Sequence, residues 1–109
     1  MSLRIISKKI LKPEFSRVGL VNYTNDLSQT ARIQKGFKNS KSYWSIPIDN
    51  TPSKIIIVTI SEWKSTNDWK NWLKSKDRTN IYNIYKEILE KETFSAMINK
   101  IENDDVFLL

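Results

Sequence analysis

The chain predicts an α+β domain of element order βαββαβ, with a four-stranded antiparallel sheet and its helices on one face. Three observations carry that expectation. Short stretches of period-two alternation are interleaved with stretches of helical periodicity. Residues 55–60 are apolar at every position except Thr59, which marks a central strand. Three of the four Trp fall within the ten residues 63–72, where that strand hands over to a helix. At 109 residues the chain reads as one domain, 1–109, with no internal repeat, linker or low-complexity tract.

Residues 3–11 read as the first strand. Leu3, Ile5, Ser7, Lys9 and Leu11 share one face, and Arg4, Ile6, Lys8 and Ile10 the other. Pro13 suits the first turn of a helix and Glu14 complements its dipole. That helix is expected to reach about Gln34, with Leu20, Tyr23, Leu27, Ala31 and Gln34 along a stripe that Val18 and Val21 widen. Gly36 stops it. Residues 37–46 read as a second, more polar strand carrying Tyr43 and Trp44, and Pro47 with the turn Asp49-Asn50-Thr51-Pro52 separates it from the third, 55–63. Ser65 is a candidate N-cap, and Asp68 three residues on completes a box-like helix start. Trp69, Trp72 and Leu73 then fall on one face, with Lys70, Asn71 and Lys74 turned away. A further helical stretch, 76–90, places Ile81, Ile84, Tyr85, Ile88 and Leu89 together, and residues 93–101 read as the fourth strand. Asn103-Asp104-Asp105 ends it, before an apolar tail Val106-Phe107-Leu108-Leu109.

The third strand is apolar on both faces: Ile55, Ile57 and Thr59 lie on one, Ile56, Val58 and Ile60 on the other. Helices cover only one side of such a sheet, so the other needs a cover, and a second copy of the sheet in a two-fold homodimer is the simplest. The apolar tail suits the same contact.

Composition removes much chemistry. With no Cys there is no disulfide, thiolate nucleophile or iron–sulfur site, and with no His there is no imidazole base or His-ligated haem or zinc. No acidic loop has metal-ligand spacing, so no metal is expected. No apolar run reaches membrane-spanning length and no signal peptide opens the chain, which implies a cytoplasmic protein without membrane contact. The formal charge of +6 invites an anionic partner. Its lysines, among them Lys8, Lys9, Lys12, Lys35 and Lys38, alternate with apolar residues as solvated faces do, and fourteen Lys stand against four Arg. Nucleic-acid recognition favours Arg forks, so nucleic acid is disfavoured as a partner.

The strand ending Glu62-Trp63, then Ser65 and the short helix Trp69-x-x-Trp72-Leu73-x-Ser75, resembles the antibiotic-biosynthesis-monooxygenase-like family. Gly36-Phe37, at the start of the second strand, agrees with it, and the resemblance covers most of residues 3–101. It implies a ferredoxin-like subunit of a dimeric α+β barrel, and a pocket between helices and sheet. One branch of that superfamily consists of cofactor-independent monooxygenases acting on aromatic polyketide-like substrates. Its haem-degrading branch uses an Asn, a Trp and an iron-ligating His. Trp72 matches the Trp, but Ser7 stands near the Asn position and Tyr82 at the His position, so haem degradation is disfavoured.

The site expected from these readings is lined by Phe15, Tyr23, Leu27, Trp63, Trp69, Trp72 and Tyr82, with Trp72 and Tyr82 as the catalytic candidates. Arg17 or Arg32 would hold an anionic group. Its ligand is an apolar or aromatic small molecule bearing a carboxylate, bound without a cofactor. Two further readings stand beside binding: cofactor-free oxygenation of the polyketide-tailoring type, and a structural dimer with no catalysis. No side chain has an ordinary pKa near 7, so a substrate would have to supply its own carbanion chemistry.

Overall fold

Alternation along the first strand is realised as β1 (Leu3–Leu11), whose positions Leu3, Ile5, Ser7, Lys9 and Leu11 are all buried. The computed structural model describes residues 2–49 and 54–98. Residues 50–52 of the expected turn, the expected strand beyond Ile98, and the apolar tail lie outside the described residues. After β1 come α1 (Arg17–Ala31), β2 (Phe37–Ser45), β3 (Ile56–Trp63), α2 (Thr66–Lys74), α3 (Lys76–Tyr85), a 3₁₀ turn (Lys86–Ile88) and β4 (Leu89–Ile98). The strands form one antiparallel sheet in the order β2-β3-β1-β4, with the helices on one face. This is the ferredoxin-like α+β fold. No helix among the described residues is long and apolar enough to cross a membrane.

Both ends of the first helix, the end of α3 and the start of β4 differ from the sequence reading. Helix α1 starts at Arg17 because Ser16 is its N-cap, its hydroxyl accepting from the Val18 N–H at 3.2 Å. Pro13 instead occupies a tight turn closed by the Phe15 N–H on the Lys12 carbonyl, 3.1 Å. The helix ends at Ala31, before Gln34. Helix α3 stops at Tyr85 and β4 begins at Leu89, four residues before the expected Thr93, because Leu89 pairs with Leu11 and the Lys12 N–H bonds the Ile88 carbonyl at 2.8 Å. Sheet pairing takes that segment from the helix. The early stop leaves Ile84 exposed, while Arg78, Ile81 and Tyr85 face inward. Val18, expected to widen the buried side of α1, is also exposed.

Two apolar clusters fill the space between helices and sheet. Leu3, Ile5, Ala31, Trp63 and Trp72 form one; Leu11, Leu20, Tyr23, Ile57 and Leu89 form the other. Ser7 and Lys9 fall between them along β1. Ser75 joins α2 to α3 alone: its N–H bonds the Trp72 carbonyl at 3.0 Å, and its hydroxyl caps α3 by accepting from the Arg78 N–H at 3.1 Å.

The chain enters β2 through Gly36, whose φ of +83° lies in the left-handed region. A Cβ there would collide with the buried Asp68 carboxyl group, in the first turn of α2. Gly36→Ala should therefore destabilise the fold by at least about 1–2 kcal/mol from backbone strain alone. A lower urea midpoint with an unchanged slope would show it.

Candidate functional site

Strand register assembles a polar floor beneath the helices. Ser7 lies opposite Thr59 on β3 and Phe94 on β4, and Lys9 opposite Glu92 on β4. Lys9 is only 2% exposed, although its charge places it among the solvated lysines in the sequence reading. Its Nζ donates to Ser7 Oγ and Thr59 Oγ1, both at 3.0 Å. Thr59 Oγ1 shares a further hydrogen bond of 2.8 Å with Ser42 Oγ, at the exposed edge strand β2. No carboxylate among the described residues lies within ion-pairing distance of Lys9.

The neighbouring carboxylate, Glu92, is fully engaged elsewhere. Arg78 donates to Oε1 at 2.6 Å and the Tyr23 hydroxyl to Oε2 at 2.8 Å. Arg78 also lies 5.3 Å from the Phe94 ring centre. Burial therefore dominates at Lys9 and brings its pKa down to about 8, with Glu92 opposing and Arg78 adding to the shift. The expectation that no base near neutrality is present is corrected here. Burial, then the charge of Glu92, pushes the Tyr23 hydroxyl well above its ordinary value.

Aromatic walls stand over this floor. Trp63 and Trp72 stack with ring centres 6.3 Å apart and planes at 24°. Phe37 meets Trp63 edge-on at 5.3 Å, and Trp69 meets Phe94 at 5.9 Å. Trp63 Nε1 donates to Ser61 Oγ at 3.0 Å. A cavity of about 50 Å³ lies between wall and floor, room for a few waters or a small group before any side chain moves.

Of the residues expected at the site, Leu27, Trp63, Trp69 and Trp72 line this cavity, and Tyr23 supports it through Glu92. Phe15 is outside it, exposed in the turn before α1, and Tyr82 is outside it, exposed on α3. The placement of Tyr82 follows from the rotation of α3 that turns Arg78 and Ile81 inward. Arg17 lies over Trp44 at 5.8 Å, and Arg32 is exposed beyond α1, so the cavity's guanidinium is that of Arg78 instead. Lys9, Thr59, Arg78 and Glu92 escaped the sequence reading as site residues, and Ser7 entered it only as the residue near the Asn position of the haem-degrading branch. The available signal was the pair Ser7 and Lys9 on an otherwise apolar strand face. No group of three metal-binding side chains occurs among the described residues.

No family model matches the sequence, and no curated protein is detectably similar to it. Solved structures are similar. SnoaB, a cofactor-independent oxygenase from Streptomyces nogalater, superposes with a TM-score of 0.71 over 94% of this chain and 96% of its own, at 9% identity. The two share the ferredoxin-like α+β fold. A hydroxynitrile lyase from Passiflora edulis matches with a TM-score of 0.73, over 93% of this chain and 96% of that one, at 17% identity. A dimeric ferredoxin-like protein from Thermobifida fusca matches with a TM-score of 0.68, over 89% and 90%, at 11% identity. An oxygenase and a lyase on one scaffold leave the chemistry to be argued from the site.

Lys9 also has a stability signature. Its folded pKa of about 8 lies below the ordinary 10.5, so between those values the unfolded chain binds more protons and stability rises with pH. The gain is at most roughly 3 kcal/mol. Tyr23, raised in the fold, acts oppositely once the unfolded phenol ionises near its ordinary pKa of 10. Melting temperature should thus climb from about pH 8 towards about pH 10, and Lys9→Met should flatten the climb.

Proposed function

We propose that the cavity binds an apolar, aromatic small molecule whose acidic or carboxylate group faces Lys9, and that it oxygenates this molecule without a cofactor. The observation that carries this reading is the buried, hydroxyl-bonded amine of Lys9 beneath a wall of Trp63, Trp69 and Trp72. A flat ligand would bury its ring on the indoles, at little entropic cost to the protein. Arg78 and Lys9 would balance negative charge. In its neutral form Lys9 would accept a proton from an activated methylene, leaving a carbanion that reduces O₂ itself. Balanced overall, the CH₂ becomes a carbonyl, one oxygen atom enters the product and the other leaves as water. The likeness to a cofactor-independent oxygenase of the same fold supports this, and the residues of the cavity are this chain's own.

The outer sheet face supports a homodimer. Ile6, Ile10, Ile56, Val58 and Ile60 project from it with no helix over them, and Tyr43 and Met97 beside them are exposed. The dimeric Thermobifida fusca protein shares the fold. Light scattering should give twice the 12.8 kDa chain mass at micromolar concentration. Ile56→Lys should yield a folded monomer, whereas Ile57→Lys, aimed into the helix-side core, should unfold the chain. A monomeric wild type would remove the dimer.

Trp72 tests the pocket. It is 7% exposed and stacked on Trp63, so Trp72→Ala should cost roughly 3–5 kcal/mol. Trp72→Phe keeps much of that packing. It should fold with modest loss of stability and retain less of any co-purifying apolar molecule in native mass spectrometry. Unchanged ligand content with a collapsed melting temperature would make Trp72 a core residue only. Ligand bound without any O₂ uptake would leave a carrier rather than an oxygenase.

A further inference from the structure

Lys9 has no ion-paired counter-charge of the protein's own among the described residues. Its amine lines the cavity, no carboxylate pairs with it among the described residues, and both of its hydrogen-bond partners are hydroxyls. A carboxylate partner would hold the ammonium form. Hydroxyls donate as well as accept, so Ser7 and Thr59 serve a neutral amine as well as a charged one. The chain of hydrogen bonds continues from Thr59 to Ser42, which is exposed at the sheet edge. A proton released at the buried amine therefore has a hydroxyl route to solvent.

We propose that Lys9 is a nucleophile that condenses with the carbonyl group of an aromatic aldehyde or ketone held against the indoles. This rests on the reading that the cavity admits an aromatic ligand, and it names the substrate class. The nitrogen lone pair attacks the carbonyl carbon, the C=O π bond breaks, and the oxygen gains a proton while the nitrogen loses one through the hydroxyls. The hydroxyl of this carbinolamine then takes up a proton, the C–O bond breaks and water leaves, and the nitrogen forms the C=N bond and gives up its second proton. One amine and one carbonyl give one imine and one water, with no oxidant or reductant. The lowered pKa of Lys9 supplies the neutral amine near pH 8. Glu92 on β4 and Arg78 on α3 are the charged groups that act on it, with opposing effects on its charge.

The test uses the full-length protein, benzaldehyde as the carbonyl probe, and cyanoborohydride to reduce any imine to a stable benzyl amine. Peptide mapping at about pH 8 should find Lys9 benzylated at least ~10-fold faster than the exposed lysines. Benzyl alcohol, which lacks the carbonyl, should quench Trp fluorescence and slow the labelling of Lys9 alone. Lys9→Met replaces a buried charge with an apolar side chain of similar length, so it should fold, bind benzyl alcohol and lose the fast adduct. If benzyl alcohol binds but Lys9 is labelled no faster than surface lysines, the imine proposal falls and the binding pocket stands. If benzyl alcohol neither quenches nor protects and Lys9 is inert, both fall. Labelling of the wild type decides the proposal even where the variant fails to fold.

Discussion

The carboxylate of Glu92 is the point from which the interior is organised. Arg78 occupies one of its oxygens and Tyr23 the other, so β4 is tied to α3 and to α1 by charge-assisted hydrogen bonds. A buried pair of this kind adds little net stability, because desolvation offsets most of the attraction. What it does is fix geometry. With both oxygens of Glu92 engaged, Lys9 is left among hydroxyls, and its desolvation is not repaid by a direct partner. Burial thus governs the charge of the amine, with Glu92 opposing it and Arg78 adding to it.

Much of this architecture is legible in the chain. The alternation of residues 3–11 matches β1 residue for residue, and the doubly apolar run before Trp63 is a central strand. The Ser65 cap and the convergence of three indoles also follow from spacing, as the Ser65 hydroxyl bonded to the Asp68 N–H shows. Helix ends were less readable. Pro13 suits a turn as well as a helix start, and nothing local announces that Leu89 will pair with Leu11 instead of extending a helix. The site was half readable. Hydrophobic patterning locates aromatic walls, since they belong to one short segment. The floor depends on register between strands and on the rotation of α3, both tertiary facts. Lys9 sat on the correct face in the pattern, but a charge in isolation reads as solvated.

The fold itself places few demands on chemistry. Its two central strands carry Lys9, Ser7 and Thr59, while the Trp residues of the wall sit at the end of β3 and on α2. Floor and wall are therefore different kinds of structure. The floor belongs to a hydrogen-bonded sheet, where a displaced strand disrupts both neighbours. The wall is mixed, with Trp63 held in that sheet and Trp69 and Trp72 on the short helix α2, whose position depends on side-chain packing.

Ser75 bears on that division. One residue closes α2 with its N–H and opens α3 with its hydroxyl, so no slack separates Trp72 from Arg78. Two helices that share a single capping residue have no linker in which either could shift alone. The indole stacked on Trp63 and the guanidinium holding Glu92 therefore stand on two arms that meet at one hydroxyl-bearing residue.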